Sequence, residues 1–154
     1  MFGPDFEKTV DQIVARYPQP RAALLPVLWE VQKAKGWIDT ETEAWVGKRL
    51  GVSPAHVHGT VTFYTMYKQE QSGKYHIQVC TTLSCMLRGS DELVEHLEKT
   101  LGIKPGETTP DGKFSLCKVE CLGSCGTAPM FQLNDDFHED LTHEKVDTLL
   151  SKLS

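Results

Sequence analysis

Four cysteines at one particular spacing constrain this chain more than any other feature of its sequence. Cys80 and Cys85 form one close pair, Cys121 and Cys125 form a second, and 35 residues separate the two pairs. Two loops that each carry two thiolates can close a cage of four sulfurs. Such a cage holds either a structural zinc ion or an iron–sulfur cluster.

The two pairs are predicted to meet because each follows a strand. Residues 75–79 alternate in polarity and lead to Cys80, and residues 114–120 form a second predicted strand before Cys121. A predicted helix connects them; Ser90 or Asp91 can cap it, and it holds Leu93, Val94, Leu97 and Leu101. A right-handed β-α-β crossover brings equivalent ends of two parallel strands to one edge of a sheet. We therefore expect the four thiols to lie together at that edge.

The rest of the second half completes a recognisable layout. Two further strands are predicted at residues 130–133 and around Phe137, with residues 134–136 as the hairpin turn between them, and Thr142 opens a last helix. The order strand, helix, strand, strand, strand, helix is that of a thioredoxin-like fold. The sequence therefore predicts an α/β domain over residues 74–154.

The first 67 residues show helical periodicity instead. Apolar side chains recur every three or four positions in four segments, which prolines and glycines separate. Thr40 with Glu43 is typical of a capping box, and Ser53 before Pro54 is typical of an N-cap followed by a first-turn proline. We expect a helical bundle over residues 1–67, placed before the α/β domain.

The fourth helix of this bundle is predicted to run to about Tyr67. Its bulky side chains fall on two faces, so we expect it to be well buried; they are Val57, Val61, Phe63, Tyr64 and Met66. The polar residues 68–73 are the predicted linker to the α/β domain.

Composition narrows the class of protein. The net charge is −5; residues 1–72 carry eight basic and eight acidic side chains, and residues 73–154 carry eight basic and thirteen acidic ones. A basic footprint is absent, which argues against nucleic-acid binding, and the acidic half suits a solvated surface or a basic protein partner. The sequence has no stretch of 18 apolar residues and no export signal at its start. We expect a cytoplasmic protein whose cysteines bind metal rather than form disulfides.

The fifth cysteine, Cys117, complicates the pattern. Cys117, Cys121 and Cys125 are each four residues apart, so spacing alone also allows Cys117 as a ligand. Cys117 falls in the middle of the second predicted strand, where its sulfur would enter a sheet face. We expect a buried core thiol there.

The residues alone leave three kinds of site to be considered. Structural zinc accepts both cysteine spacings, although zinc knuckles usually replace a missing core. A dithiol oxidoreductase of the thioredoxin type needs C-x-x-C at a helix N-terminus, which this sequence lacks. A four-thiolate iron–sulfur cluster fits the count of cysteines and the predicted core, but the spacing is not that of plant-type ferredoxins.

Other candidate sites are weaker. His58, His76 and His96 have no metal-ligand spacing, and the three tryptophans are explained by packing. The sequence contains no G-x-G-x-x-G motif and no P-loop, so it predicts no nucleotide-phosphate site of its own.

Two longer segments resemble a known family. Residues 114–129 read F-S-L-C-K-V-E-C-L-G-S-C-G-T-A-P, and residues 57–67 read V-H-G-T-V-T-F-Y-T-M-Y. With the spacing C-x4-C-x35-C-x3-C, they resemble the small iron–sulfur subunit of respiratory complex I, the bacterial NADH–quinone oxidoreductase. The resemblance covers nearly the whole chain.

The resemblance implies one [2Fe–2S] cluster on a thioredoxin-like ferredoxin domain. Its ligands would be Cys80, Cys85, Cys121 and Cys125, and not Cys117. The family's cluster exchanges single electrons with FMN, and FMN and NADH bind to a neighbouring flavoprotein subunit of the same complex.

That family context also implies where the chain works. The chain would have no complete active site and would lie in the cytoplasm, peripheral to the inner membrane through the complex. Its residues 1–67 would form the docking unit, since stand-alone ferredoxins of this type lack them. The alternatives are the equivalent subunit of an NAD-linked hydrogenase or formate dehydrogenase, or a zinc-stabilised adaptor without redox activity.

Overall fold

The computed structural model describes residues 2–153. Contacts between residues divide the chain into two compact units, the first ending at Gln71 and the second beginning at Ser72. This division falls within residues 68–73, which contain no helix or strand. No helix in the described part of the chain is long and apolar enough to cross a lipid bilayer.

Four α-helices make up most of the first unit. They are α1 (Pro4–Val14), α2 (Leu24–Lys35), α3 (Thr40–Leu50) and α4 (Pro54–Phe63), with a 3-10 helix at Pro20–Ala23 before α2. One apolar core joins them, and its fully buried side chains include Val10, Val27, Leu28, Val31, Val46 and Val57. Each such side chain stabilises the unit by roughly 1.5–3 kcal/mol relative to exposure.

The start of α3 differs by one residue from the predicted capping box. Asp39, not Thr40, is the N-cap, and its Oδ1 accepts a hydrogen bond of 3.0 Å from the Thr42 N–H. Asp39 has extended backbone angles, whereas Thr40 is already helical. The predicted cap of α4 is confirmed, because Ser53 Oγ accepts from the His56 N–H at 3.2 Å.

The predicted extent and burial of α4 are wrong. The helix ends at Phe63, and Tyr64 adopts an extended conformation. Val57 and Val61 are buried, but three of the five bulky side chains face solvent; they are Phe63, Tyr64 and Met66. The prediction that this segment is buried failed because it was based on apolar composition alone.

The second unit contains a four-stranded sheet. Its strands are β1 (Tyr75–Cys80), β2 (Phe114–Val119), β3 (Phe131–Leu133) and β4 (Asp136–His138), arranged in the order β2-β1-β3-β4. As predicted, β1 and β2 are parallel and β3 and β4 form an antiparallel hairpin. β3 also pairs antiparallel with β1, which the sequence did not indicate. Helix α6 (Ser90–Leu101) connects β1 to β2, and α7 (His143–Lys152) follows β4.

The core of this unit lies on one face of the sheet. Alternate strand residues such as Ile77, Leu116 and Phe131 pack there against Leu97 of α6 and Val146 of α7. This alternation is the period of two that a strand imposes on its side chains. The opposite face carries the intervening, more polar residues, among them His76, Gln78, Ser115, Cys117 and Gln132.

Two local features near the start of α6 were not predicted. A short helix, α5 (Leu83–Leu87), lies between β1 and α6. Ser90 does not cap α6; it is the first helical residue after Gly89, which has φ +94°. The Ser90 Oγ is buried and has no hydrogen-bond partner among the described residues.

Candidate metal centre

The sheet brings the two cysteine pairs to one edge. Cys80 is the last residue of β1, and the parallel register pairs it with Val119, the last residue of β2. The Thr81 N–H donates to the Val119 carbonyl at 3.2 Å, which ties the two loops together where they leave the strands. The loop carrying Cys121 therefore begins beside Cys80.

The second pair has the separation of two ligands on one metal. The Sγ atoms of Cys121 and Cys125 are 3.7 Å apart. Two thiolates on one tetrahedral ion with metal–sulfur bonds of about 2.3 Å would stand about 3.8 Å apart. In the first pair, Cys80 is close enough to Cys85 to raise the pKa of the Cys85 thiol.

A threonine hydroxyl links the two pairs. Thr82 Oγ1 lies 3.2 Å from Cys80 Sγ, and the Thr82 hydroxyl also contributes to lowering the pKa of Cys121. Among residues 2–153, no three or more His, Cys, Asp or Glu side chains are placed to hold a single metal ion. The thiols are arranged as two pairs, and a binuclear cluster places two thiolates on each iron.

The two pairs differ in exposure. Cys80 and Cys85 are each only 2% exposed and pack with Ala128 and Met130. Cys121 and Cys125 are exposed. A cluster held by all four would be shielded on the side of the first pair and open to solvent or a partner on the other.

Hydrogen bonds favour the thiolate form of two of these cysteines. Burial by itself would raise the pKa of Cys80, but hydrogen bonds from Thr82 and from the Leu122 N–H outweigh it and lower this pKa. The pKa of Cys121 is lowered chiefly by the Gly123 N–H and by the thiol of Cys125. Thiolates are the form that binds metal, so these contacts fit a metal-ligand role.

Cys85 shows the opposite behaviour. Burial and the neighbouring Cys80 sulfur raise the pKa of Cys85 to about 11. Two thiolates side by side in a low-dielectric pocket repel each other, so one of them retains its proton. A metal ion bound between them would remove that penalty, and binding would release the proton.

The loop of the second pair depends on one glycine. Gly123 has φ +83°, a left-handed conformation that residues with a side chain rarely adopt. In this conformation its N–H donates to Cys121 Sγ at 3.4 Å. The second glycine of this loop, Gly126, lies in the 3-10 helix Cys125–Thr127.

Two threonines at the site were missed from the sequence. Thr82 joins the pairs as described, and Thr127 Oγ1 donates to Glu139 Oε1 at 2.6 Å while the Thr127 carbonyl accepts from the Asp140 N–H at 2.7 Å. The latter contacts attach the second loop to the segment after β4. The sequence does place a threonine in each cysteine loop, but threonine is too common in loops for its presence to indicate a role at the site.

Cys117 lies in β2 as predicted, but it is not a core thiol. It is half-buried on the polar face of the sheet, with its Sγ 3.6 Å from Nε2 of His76. The expectation of full burial is therefore wrong, because the core packs on the other face. The other two histidines considered from the sequence have acidic partners: His58 Nδ1 lies 2.9 Å from Glu43 Oε1, and His96 Nε2 lies 2.7 Å from Asp147 Oδ1.

The chain matches a family model. Residues 10–154 match the model described as thioredoxin-like [2Fe–2S] ferredoxin. The matched range includes both cysteine pairs and most of the helical unit.

Subunits of two bacterial NADH-quinone oxidoreductases are similar over nearly the whole chain. The NADH-quinone oxidoreductase subunit 2 of Thermus thermophilus is 46% identical across 99% of this chain and 86% of its own length. A subunit of the NADH-quinone oxidoreductase of Rhizobium meliloti is 45% identical across 92% of this chain and 84% of its own length.

A solved structure has the same fold. In an NAD+-reducing [NiFe]-hydrogenase, the match covers 84% of this chain and 22% of the hydrogenase chain, with a TM-score of 0.73 and 24% identity. At that identity, the likeness shows the fold alone.

Proposed function

The chain belongs to the thioredoxin-like [2Fe–2S] ferredoxin family, and from that membership we infer that it is the electron-transfer subunit of an NADH–quinone oxidoreductase. The two bacterial relatives, at 46% and 45% identity, are named as subunits of that enzyme. The observation in the structure that supports the inference is the convergence of two thiol pairs, one of them 3.7 Å apart, at a single sheet edge.

The proposed ligands of the [2Fe–2S] cluster are Cys80, Cys85, Cys121 and Cys125. Four sulfur donors in two pairs suit two irons, and the lowered pKa values of Cys80 and Cys121 suit ligation. When bound, the cluster accepts and returns single electrons.

The surrounding residues would adjust the reduction potential. The Gly123 N–H that reaches Cys121 Sγ stabilises negative charge on sulfur, which favours reduction. The acidic second half of the chain acts in the opposite direction, since nearby negative charge disfavours an added electron. Docking that desolvates the exposed pair, Cys121 and Cys125, would therefore change the potential.

The partner is proposed to be the flavoprotein subunit of the same complex, which would bind FMN and NADH. The exposed edge with Cys121 and Cys125 suits electron exchange, because the sulfurs there are not covered by the chain's own core. Through this partner the chain would be peripheral to the inner membrane, on the cytoplasmic side.

The helical unit is proposed to supply the docking surface. Phe63, Tyr64 and Met66 expose apolar side chains at the end of α4, and Phe63 is 76% exposed. Clustered exposed aromatic and methionine side chains are typical of protein-binding surfaces.

Metal analysis combined with electron paramagnetic resonance tests the function directly. We expect two irons per chain and, after reduction with dithionite, a rhombic signal of a spin-one-half state. A colourless protein with one zinc per chain would contradict the proposal and support the adaptor without redox activity. A subunit of an NAD-linked hydrogenase or formate dehydrogenase would give the same signal, and purification of the native complex would separate those cases by the partner chains recovered.

A further inference from the structure

A cysteine, a histidine and a serine form a second constellation on the polar face of the sheet. His76 Nε2 lies 3.6 Å from Cys117 Sγ, and His76 Nδ1 lies 2.7 Å from Ser115 Oγ. The Ser115 Oγ in turn accepts a hydrogen bond of 3.2 Å from the Gly73 N–H. None of these residues belongs to the proposed cluster ligands.

The strand register explains why these three side chains meet. β1 and β2 are parallel, and His76 is paired with Ser115 while Gln78 is paired with Cys117. Residues two apart on a strand share a face, so Ser115 and Cys117 point to the same side as His76. The imidazole therefore lies between the hydroxyl and the thiol. Ser115 is buried, whereas His76 and Cys117 are half-buried.

The arrangement has the parts of an activated nucleophile. A thiol next to an imidazole can pass its proton to the ring, and a third group that orients the ring completes the arrangement. If His76 takes that proton, both ring nitrogens carry hydrogen, and each has an acceptor: Ser115 Oγ at Nδ1 and the sulfur at Nε2. Reactive cysteines are typically partly exposed and lie beside a histidine or another basic side chain.

We propose that Cys117 is a reactive thiol, activated by His76, that forms reversible mixed disulfides with low-molecular-weight disulfides. The Cys117 proton moves to His76 Nε2, and the thiolate attacks one sulfur of the disulfide. A new sulfur–sulfur bond to Cys117 forms, the disulfide bond of the reagent breaks, and its second sulfur leaves as a thiolate that takes up the proton. The site would couple the redox state of small thiols to this subunit without using the cluster ligands.

The test uses the cluster-loaded full chain and dipyridyl disulfide, which releases a coloured thione for each thiol that reacts. We expect one rapid equivalent per chain, which Cys117→Ser abolishes. His76→Gln should slow this reaction by about threefold or more. The effect is modest because His76 increases the fraction of Cys117 present as thiolate but also lowers the nucleophilicity of that thiolate, so the two effects partly cancel. The control variant, His96→Gln, removes a histidine from α6 and should react at the rate of the unmodified chain.

Two results would overturn the proposal. One is an unchanged rate for His76→Gln in protein with the same iron content and circular dichroism spectrum. The other needs no variant, because native Cys117 should react faster than reduced glutathione under the same conditions. A slower rate would mean that His76 does not activate this half-buried thiol. The second measurement keeps the proposal testable if His76→Gln fails to fold.

Discussion

The sulfurs of Cys121 and Cys125 lie 3.7 Å apart, beside the end of the strand that carries Cys80. Side chains four residues apart in an extended chain would be much farther from each other. The turn at Gly123, with φ +83°, folds the loop back and brings them together. The separation of this pair is therefore a property of the loop's backbone.

Replacement of Cys121 should remove the cluster, whereas the same change at Cys117 should not. Cys121→Ser deprives the site of one of four proposed sulfur donors, and we expect loss of most of the bound iron. Cys117→Ser is the matched control, since its sulfur contacts His76 on the polar sheet face. Iron content and the paramagnetic signal of the reduced protein check both outcomes. Loss of the cluster in Cys117→Ser would show that the ligand assignment is wrong.

Gly123→Ala should destabilise the loop of the second pair. A Cβ at Gly123 meets no atom within 4 Å, so the cost comes from the left-handed backbone and amounts to about 1–2 kcal/mol. A shift of the loop would weaken the hydrogen bond to Cys121 Sγ, so we also expect a lower reduction potential. Gly126→Ala has equal space and no positive φ, and it should leave both quantities nearly unchanged. Denaturant unfolding and a redox titration measure them.

Alanine replacements at two glycines inside helices of the first unit should change the free energy of unfolding in opposite directions. A Cβ at Gly47 in α3 would stand 2.8 Å from the backbone oxygen of Val52, so Gly47→Ala should lower the free energy of unfolding by about 1–3 kcal/mol. A Cβ at Gly59 in α4 meets nothing within 4 Å, so Gly59→Ala should raise the free energy of unfolding by about 0.5–1 kcal/mol. Equal effects of the two changes in thermal unfolding would contradict the packing described for α3.

Asp39 should make the first unit sensitive to acid. The Lys35 ammonium, 2.5 Å from Asp39 Oδ2, and hydrogen bonds from Thr42 hold the pKa of this carboxyl well below its usual range. A carboxyl with a depressed pKa in the folded state adds stability above its unfolded pKa of about 4, and that contribution is lost as the pH falls further. Asp39→Asn keeps a good N-cap but cannot pair with Lys35.

The expected result is a difference in unfolding free energy between the native chain and Asp39→Asn that is present at neutral pH and shrinks below about pH 4. Asp5→Asn is the control, because its contact with Lys8 is fully exposed and contributes little. Chemical denaturation at a series of pH values measures the difference. A constant difference down to acid pH would argue against the Lys35 contact.

Phe63→Ser should weaken binding to the flavoprotein partner. The exposed Phe63 ring is available as an anchor, and truncation of such a residue costs about 1–2 kcal/mol or more, which is a loss of about five- to thirtyfold in affinity. Phe137→Ser makes the same change at a ring that is 49% exposed in the second unit. Affinity measured with the purified partner should fall only for Phe63→Ser. An effect confined to Phe137→Ser would place docking on the sheet unit.

Much of the second unit could be predicted from the sequence by itself. The alternation in residues 75–79, the cysteine spacing and the turn residues are local signals, and local signals determine strands, turns and caps such as Thr142, whose side chain accepts from the Lys145 N–H as expected. The parallel pairing of β1 with β2 followed because a helix separates them. It was therefore foreseeable that both cysteine loops begin at one edge of the sheet, where Cys80 pairs with Val119.

Burial and side-chain contacts were decided only by the tertiary structure. Apolar composition predicted that Phe63 and Met66 would be buried, but both are exposed, because burial depends on which distant residues cover a side chain. Cys117 is half-buried beside His76 for the same reason, since its strand has one face in the core and one outside. Periodicity along the chain reveals which residues share a face; only the packing of the whole unit determines which face is covered.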